Sequence, residues 1–375
     1  MKAKPVAHES VPKTLRSVSI IGTGSYLPKR VLTNADLAKV MDTTDEWITT
    51  RTGIKERHIA AADQATSDLA AEAARRALRQ AGLAAEDLDM IIVATVTPDM
   101  FFPSTACFVQ KAIGASKAVC FDLEAACCGF LFALETARQY VGSGAITTAL
   151  VIGADKLSAI TDWEDRSTCV LFGDGAGAAI IRSRPGLRGI IATAMASNGN
   201  LGHLLNMPGG GSRHPATVQT VKDRLHFLKM AGKEVFKYAV GSMLSASKEA
   251  LKKANMTIDD VDCVIPHQAN MRIIRAVGER LGVPMAKYYI NLERTGNISA
   301  ASIPVALDEA VRSGFIKHGA IVLMMVFGGG FTWGATLLEW RKPEPSQRVS
   351  AKAANYARVS NAQKRRFSTN ASNLW

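Results

Sequence analysis

Neither a disulfide framework nor a metal site is legible in this chain. Its six cysteines include one adjacent pair, Cys127-Cys128, and none at metal-ligand spacing, so reduced thiols in a reducing compartment are expected. The amino end lacks the apolar core of a secretory signal. An uncharged run, residues 320–338, has about the length of a bilayer span, but Gly328-Gly-Gly330 interrupts it. Two buried strands joined by a glycine turn are expected there, and a cytoplasmic protein with no membrane span. What is present is apolar: 47% of the 375 residues are hydrophobic and 21% charged, enough to bury a large core in one or two domains.

The formal net charge of +12 is mostly terminal. Residues 341–375 carry eight Lys and Arg against one Glu, and residues 1–17 carry four against one. Both ends read as flexible: an arm over 1–18 and a basic tail over 341–375. The body has too little excess charge to argue for nucleic acid.

Chemistry enters with Phe121-Asp-Leu-Glu-Ala-Ala-Cys127-Cys-Gly-Phe130. An apolar run over 118–123 predicts a strand, and the spacing of Phe130, Leu131, Leu134, Ala137 and Tyr140 predicts a helix. Cys127 then sits at a helix N-terminus, where unpaired N–H groups and the macrodipole favour a nucleophilic thiolate. His267 follows a second apolar run, 261–265, in Pro266-His-Gln-Ala-Asn270, and Asn297 lies in Gly296-Asn-Ile-Ser-Ala-Ala-Ser302. A thiol, an imidazole and an amide suit covalent acyl transfer.

A duplication points to the fold. Residues 67–94 read as helix, Glu86-Asp-Leu-Asp89, strand; residues 241–265 repeat this with Asp259-Asp-Val-Asp262. The segment 170–181 likewise echoes 325–338. Alternating helices and short, doubly apolar strands predict an α/β protein with largely parallel sheets.

Taken with Ile21-Gly-Thr-Gly-Ser-Tyr-Leu-Pro28, Thr33-Asn-Ala-Asp-Leu37, Asp45-Glu-Trp-Ile48, Thr50-Arg-Thr-Gly-Ile54, Phe172-Gly-Asp-Gly-Ala-Gly177 and Phe327-Gly-Gly-Gly-Phe-Thr-Trp-Gly334, the chain from Ser19 to Trp340 resembles the β-ketoacyl-[acyl-carrier-protein] synthase III family. The resemblance implies a thiolase-like fold whose duplicated halves, 19–185 and 186–340, form a five-layered α-β-α-β-α core. It implies a decarboxylative condensation of a short acyl-CoA with malonyl-acyl-carrier protein, without a cofactor or metal, in a homodimer. The implied roles are Cys127 as nucleophile and His267 and Asn297 as enolate-stabilising donors. The backbone N–H groups of Cys127 and Gly329 would form the oxyanion hole. Trp47, Arg51, Arg166, Gly232 and Asn270 are implied in CoA binding, Phe102 and Phe327 in the acyl pocket, with Phe102 reaching across the dimer, and Arg272 in carrier-protein binding. A related acyltransferase with another primer or acceptor is the alternative. Three features depart from the family pattern: Cys128 after the nucleophile, Lys233 where Asn is usual, and a longer loop over 207–228.

Overall fold

Short apolar runs become strands because both their faces are covered. The computed structural model describes residues 15–342; the arm and the basic tail lie outside these apart from 15–18 and 341–342. One sheet contains β1 (Val18–Tyr26), β2 (Met90–Ala94), β3 (Val119–Leu123), β4 (Thr148–Lys156) and β5 (Asp174–Ser183), in the order β1-β5-β4-β2-β3. The other contains β6 (Ile190–Ser197), β7 (Cys263–Pro266), β8 (Ile321–Gly328) and β9 (Thr332–Glu339), in the order β6-β9-β8-β7. The second order repeats the first, with the fifth strand reduced to one bridge, Val264 to Tyr288.

The expectation of largely parallel sheets is corrected. β2 pairs in parallel with both β3 and β4, and β7 with β8, but β1, β5, β6 and β9 run antiparallel to their neighbours. Parallel pairing needs a crossover, usually a helix, to bring the chain back to the same end. Helices intervene between β2 and β3 and between β3 and β4, whereas β8 and β9 are joined directly across Gly329-Gly-Phe331. The latter pair is the hairpin expected at 320–338.

Five layers result. Helices α1 (Thr66–Ala81) and α2 (Thr105–Ile113) cover the first sheet outside, while α4 (Gly232–Ala254) and α5 (Met271–Leu281) form the layer outside the second. Between the sheets lie α3 (Gly129–Ser143) and α6 (Ser302–Arg312). Because α3 touches both sheets it is buried on more than the face its periodicity predicts: Ala133 and Val141 are buried with Phe130 and Leu134, while Tyr140 is exposed. One core joins Ile92 and Val151 of the first sheet to Ile265 and Met324 of the second through Phe130, Leu134, Ile303 and Leu307.

The repeated Asp motif has a repeated task. Asp89 donates its N–H to Thr148 O and accepts from the N–H groups of Thr147 and Thr148. Asp262 does the same with Ile321 alone, at 3.0 and 2.8 Å. Each stitches the start of one strand to the start of its neighbour. The second echo is only partly structural: both copies lead into an antiparallel strand, but Phe172 and Gly173 precede β5 whereas Phe327 and Gly328 end β8.

The central layer is seated by close backbone approach. A Cβ on Gly153 would lie 2.2 Å from Ala300 O, a contact that requires backbone movement. Gly153→Ala is therefore expected to cost about 3 kcal/mol, as overpacking of a filled core does, read as a lower denaturant midpoint. A midpoint equal to wild type would mean that this contact relaxes freely.

Candidate active site

Three chain turns from the two halves meet over one cavity. β3 ends at Leu123, and a 3-10 turn over Ala126–Cys128 leads into α3. Ala126 has φ 47°, a left-handed conformation costly for any residue with a Cβ. It is held by its own N–H on Glu124 Oε1 at 2.9 Å, by Cys128 N–H on Ala125 O at 3.0 Å, and by Thr332 Oγ1 on Ala125 O at 3.2 Å. The sharp turn presents Cys127 to the cavity. Gly328, at the end of β8, lies against it: a Cβ there would be 2.9 Å from both the Cβ and N of Cys127. Gly329 follows the last ladder residue, so its N–H is free of the strand pairing.

His267 leaves β7 with its N–H on Met325 O at 2.8 Å. Gln268 fixes the loop: its amide donates to Pro266 O and Tyr289 O and accepts from the N–H groups of Asn291 and Leu292. His267 Nδ1 is buried without a partner, so Nε2 is the ring nitrogen left to the cavity. Asn297 is held at both backbone groups, by Leu171 O and Gly173 N–H, and its Oδ1 accepts from Ser299 N–H at 2.9 Å. That bond turns Nδ2 toward the cavity. Two N–H donors thus share a chamber with the sulfur.

This chamber, of about 620 Å³, is lined by Cys127, His267, Asn297, Ser299, Phe327 and Gly329 among others. A second cavity of about 530 Å³ shares Leu171, Met230, Gly232, Phe236 and Asn270 with it and adds Trp47, Arg51, Lys233 and Arg272. An apolar inner chamber therefore adjoins a basic outer one. Family-model comparison matches residues 121–199 to 3-oxoacyl-[acyl-carrier-protein (ACP)] synthase III and residues 251–340 to the C-terminal part of the same enzyme. The β-ketoacyl-[acyl-carrier-protein] synthase III of Desulfitobacterium hafniense (strain DSM 10664 / DCB-2) is 55% identical over 326 residues, covering 87% of this chain and 98% of the relative. The chain belongs to the β-ketoacyl-[acyl-carrier-protein] synthase III family. It is a condensing acyltransferase of fatty-acid synthesis with a thiolase-like fold. The crystal structure of 3-oxoacyl-[acyl-carrier-protein] synthase III from Aquifex aeolicus VF5 superposes with a TM-score of 0.80 at 50% identity, covering 86% of this chain and all of that one. No described helix is long and apolar enough to cross a membrane.

Around Trp47 the expected outer-site residues are partly assembled. Arg51 and Arg166 lie 4.5 and 4.8 Å from the Trp47 ring centroid, and Arg166 also pairs with Asp42. Asn270 caps α5 through Oδ1 and donates to Arg51 O at 3.1 Å, so its amide ties the Trp47 helix to the His267 loop. Phe327 lines the inner chamber and packs on Phe331 at 4.8 Å. Phe102 does not join them: it is 84% exposed and lines neither cavity of its own chain. The 207–228 loop contributes Met207 and Leu228 to the inner wall, anchored where Arg224 and Lys229 grip the carboxylate of Asp162.

At the sulfur, burial opposes the pull of the helix N-terminus toward thiolate. Burial pushes the Cys127 thiol up to about 12, a preference for the neutral form of about 4 kcal/mol. The helix N-terminus returns at most about 2 kcal/mol, so burial prevails and the resting sulfur is protonated. Burial likewise lowers His267 to about 4, leaving a neutral imidazole that can donate from Nε2. The unfolded chain protonates this residue near pH 6.5, so its contribution to stability is complete above that pH and is lost as pH falls toward 4. The His267 ring resonances are expected to titrate with a midpoint near 4, and the thiolate absorbance assigned by comparison with Cys127→Ala to be absent at pH 7. A midpoint near 6.5 or a neutral-pH thiolate would contradict this electrostatic picture.

Two polar residues, one lining the chamber and one behind it, had no role in the sequence reading. Ser299 has φ 48° and is buried; it sat inside the Asn297 motif unremarked. Asp155 is fully buried. Its signal was a carboxylate closing the apolar strand 148–154.

Proposed function

We propose that this chain condenses a short acyl-CoA, acetyl-CoA first among them, with malonyl-acyl-carrier protein, giving 3-oxoacyl-acyl-carrier protein, CoA and carbon dioxide. The observation that carries the reading is the convergence of Cys127 with two N–H donors, His267 Nε2 and Asn297 Nδ2, in one chamber. Cys127 attacks the thioester carbonyl, its sulfur–acyl bond forms, the bond to the CoA sulfur breaks, and CoA leaves as the thiol. The N–H groups of Cys127 and Gly329 face the oxyanion. Malonyl-acyl-carrier protein then loses carbon dioxide. His267 and Asn297 stabilise the enolate, whose carbon attacks the acyl carbonyl and expels the Cys127 sulfur. The side chains supply all of this chemistry, so acyl-CoA is a substrate and no cofactor is invoked.

The outer cavity suits CoA: Trp47 offers a stacking face, and Arg51 and Arg166 offer charge to base and phosphates, with Gly232 and Asn270 as wall. Arg272 and Lys233 at the mouth present positive charge to an acidic carrier protein. Phe327 bounds the acyl end, and Phe102 joins it only from a second copy of the chain, so the reading includes a homodimer. A cytoplasmic setting is consistent with six free cysteines. The test is stoichiometry: with acetyl-CoA and malonyl-acyl-carrier protein, CoA and carbon dioxide should appear one to one, with a 3-oxoacyl carrier as product. CoA release with free acetate and no carbon dioxide would overturn it.

A further inference from the structure

The turn that carries Asn297 repeats the turn that carries Cys127. At one constant offset along the chain, Glu124 corresponds to Asn297, Ala126 to Ser299, Cys127 to Ala300 and Cys128 to Ala301. The bonds correspond as well. Ala126 N–H donates to Glu124 Oε1 and Ser299 N–H to Asn297 Oδ1, each at 2.9 Å. Cys128 N–H donates to Ala125 O and Ala301 N–H to Ile298 O, each at 3.0 Å. Ala126 and Ser299 share the left-handed backbone, with φ 47° and 48°, and α3 and α6 follow the two turns.

The same offset carries Thr148 to Ile321, the two residues stitched by the Asp motif, and Asp155 to Gly328. At this last pair the halves differ. A Cβ on Gly328 would stand 2.9 Å from Cys127 N, so glycine leaves that N–H open to the chamber. In the first half Asp155 supplies the side chain, and its Oδ2 accepts the Ala300 N–H at 3.2 Å. The counterpart of the Cys127 N–H is therefore closed by a carboxylate.

That carboxylate also reaches into the first half. Its Oδ1 accepts from Val96 N–H at 2.8 Å, Thr95 Oγ1 at 2.9 Å and Thr97 Oγ1 at 3.0 Å, and Val96 lines the chamber. Asp155 is fully buried, a place where a carboxylate is stable only with its oxygens paired. Gly153, two residues earlier on the same face of β4, lies against the Ala300 carbonyl. One strand of the first half thus meets both backbone polar groups of Ala300.

We propose that Asp155 is a positioning residue for Asn297: by fixing Ala300 it keeps the neighbouring Ser299 N–H on Asn297 Oδ1, and so keeps Asn297 Nδ2 aimed at the enolate. This rests on the condensation reading above. The Asn297 backbone has its own anchors, Leu171 O and Gly173 N–H, so loss of the carboxylate turns the amide without unseating the residue. The Cys127 turn is held by Glu124, Ala125 and Thr332 instead. Asp155 therefore acts on the second half-reaction and not on the first.

The experiment compares single-turnover acylation by acetyl-CoA with condensation with malonyl-acyl-carrier protein in wild type, Asp155→Asn, Asn297→Ala and the double variant. Asparagine keeps the shape of the side chain and one oxygen for the donors of Val96, Thr95 and Thr97, but sets an N–H group against that of Ala300. Asp155→Asn should lower kcat for condensation about 10- to 100-fold, the cost of misplacing a catalytic group, with KM for the malonyl carrier and the acylation rate within about threefold of wild type. The double variant should condense no more slowly than Asn297→Ala alone, because the one residue acts through the other. Amide hydrogen exchange at Ser299 and Ala300 in the resting protein should be at least about tenfold faster in Asp155→Asn. Thr95→Val, which removes one hydroxyl from Oδ1, serves if that variant does not fold, with a loss of about threefold confined to condensation. Losses that multiply in the double variant, or acylation and condensation slowed equally, overturn the proposal. So does unchanged exchange at both amides. Faster exchange beside a wild type that releases no carbon dioxide from the malonyl carrier would keep the latch and remove the condensation reading.

Discussion

Cys127→Ala is expected to form no acyl-enzyme, with turnover lower by about four orders of magnitude or more, as when a covalent nucleophile is removed. The neighbouring thiol does not substitute. Cys128 is fully buried against the core, and burial pushes its thiol well above the ordinary range, so it stays protonated. It also lies outside the chamber wall, in which Cys127 is the one thiol. The variant should fold normally, since the lost atom faces the chamber and leaves the turn bonds of Ala126 and Cys128 intact. Single-turnover release of CoA measures the effect. Residual acylation above about one per cent of wild type would show that another group can accept the acyl chain.

The second large effect divides the two half-reactions. In His267→Ala and in Asn297→Ala, condensation should fall by about 100- to 1000-fold, the usual cost of one donor to a developing oxyanion, while acylation of Cys127 stays within a few-fold of wild type. The division follows from geometry. Neither side chain bonds to the sulfur, both present N–H groups to the chamber, and His267 is too weak a base at about 4 to hold the thiol proton. Asn297→Asp, which replaces the donor by an acceptor, should be at least as impaired as the alanine variant. The check is carbon dioxide release from malonyl-acyl-carrier protein beside CoA release from acetyl-CoA. Equal loss of both would assign His267 or Asn297 to thiol activation instead.

Much of this architecture was legible because it is written in strand ends. Cys127, His267 and Asn297 each follow an apolar run or a glycine, and the repeated Asp motif marked the duplication before any sheet was seen. The mixed pairing of the sheets was hidden, since a doubly buried antiparallel strand has the same apolar composition as a parallel one. The depth of the Cys127 sulfur was hidden: sequence shows that a helix begins near the thiol but not how far burial pushes its pKa up. Asp155 escaped because its bond with the second half, from the Ala300 N–H 145 residues away, forms only when that half's turn docks on the first half's sheet. Phe102 lines neither cavity of its own chain, so the acyl-pocket role proposed for it needs a second chain.

The central claim is a cysteine acyl-enzyme discharged by decarboxylative condensation. Intact-protein mass spectrometry after mixing with acetyl-CoA, before and after malonyl-acyl-carrier protein is added, tests it most directly. One acetyl group on wild type, absent from Cys127→Ala and lost as acetoacetyl-carrier forms, is the predicted result. An acetyl group that persists after malonyl-acyl-carrier protein, or one that leaves as free acetate, would contradict it.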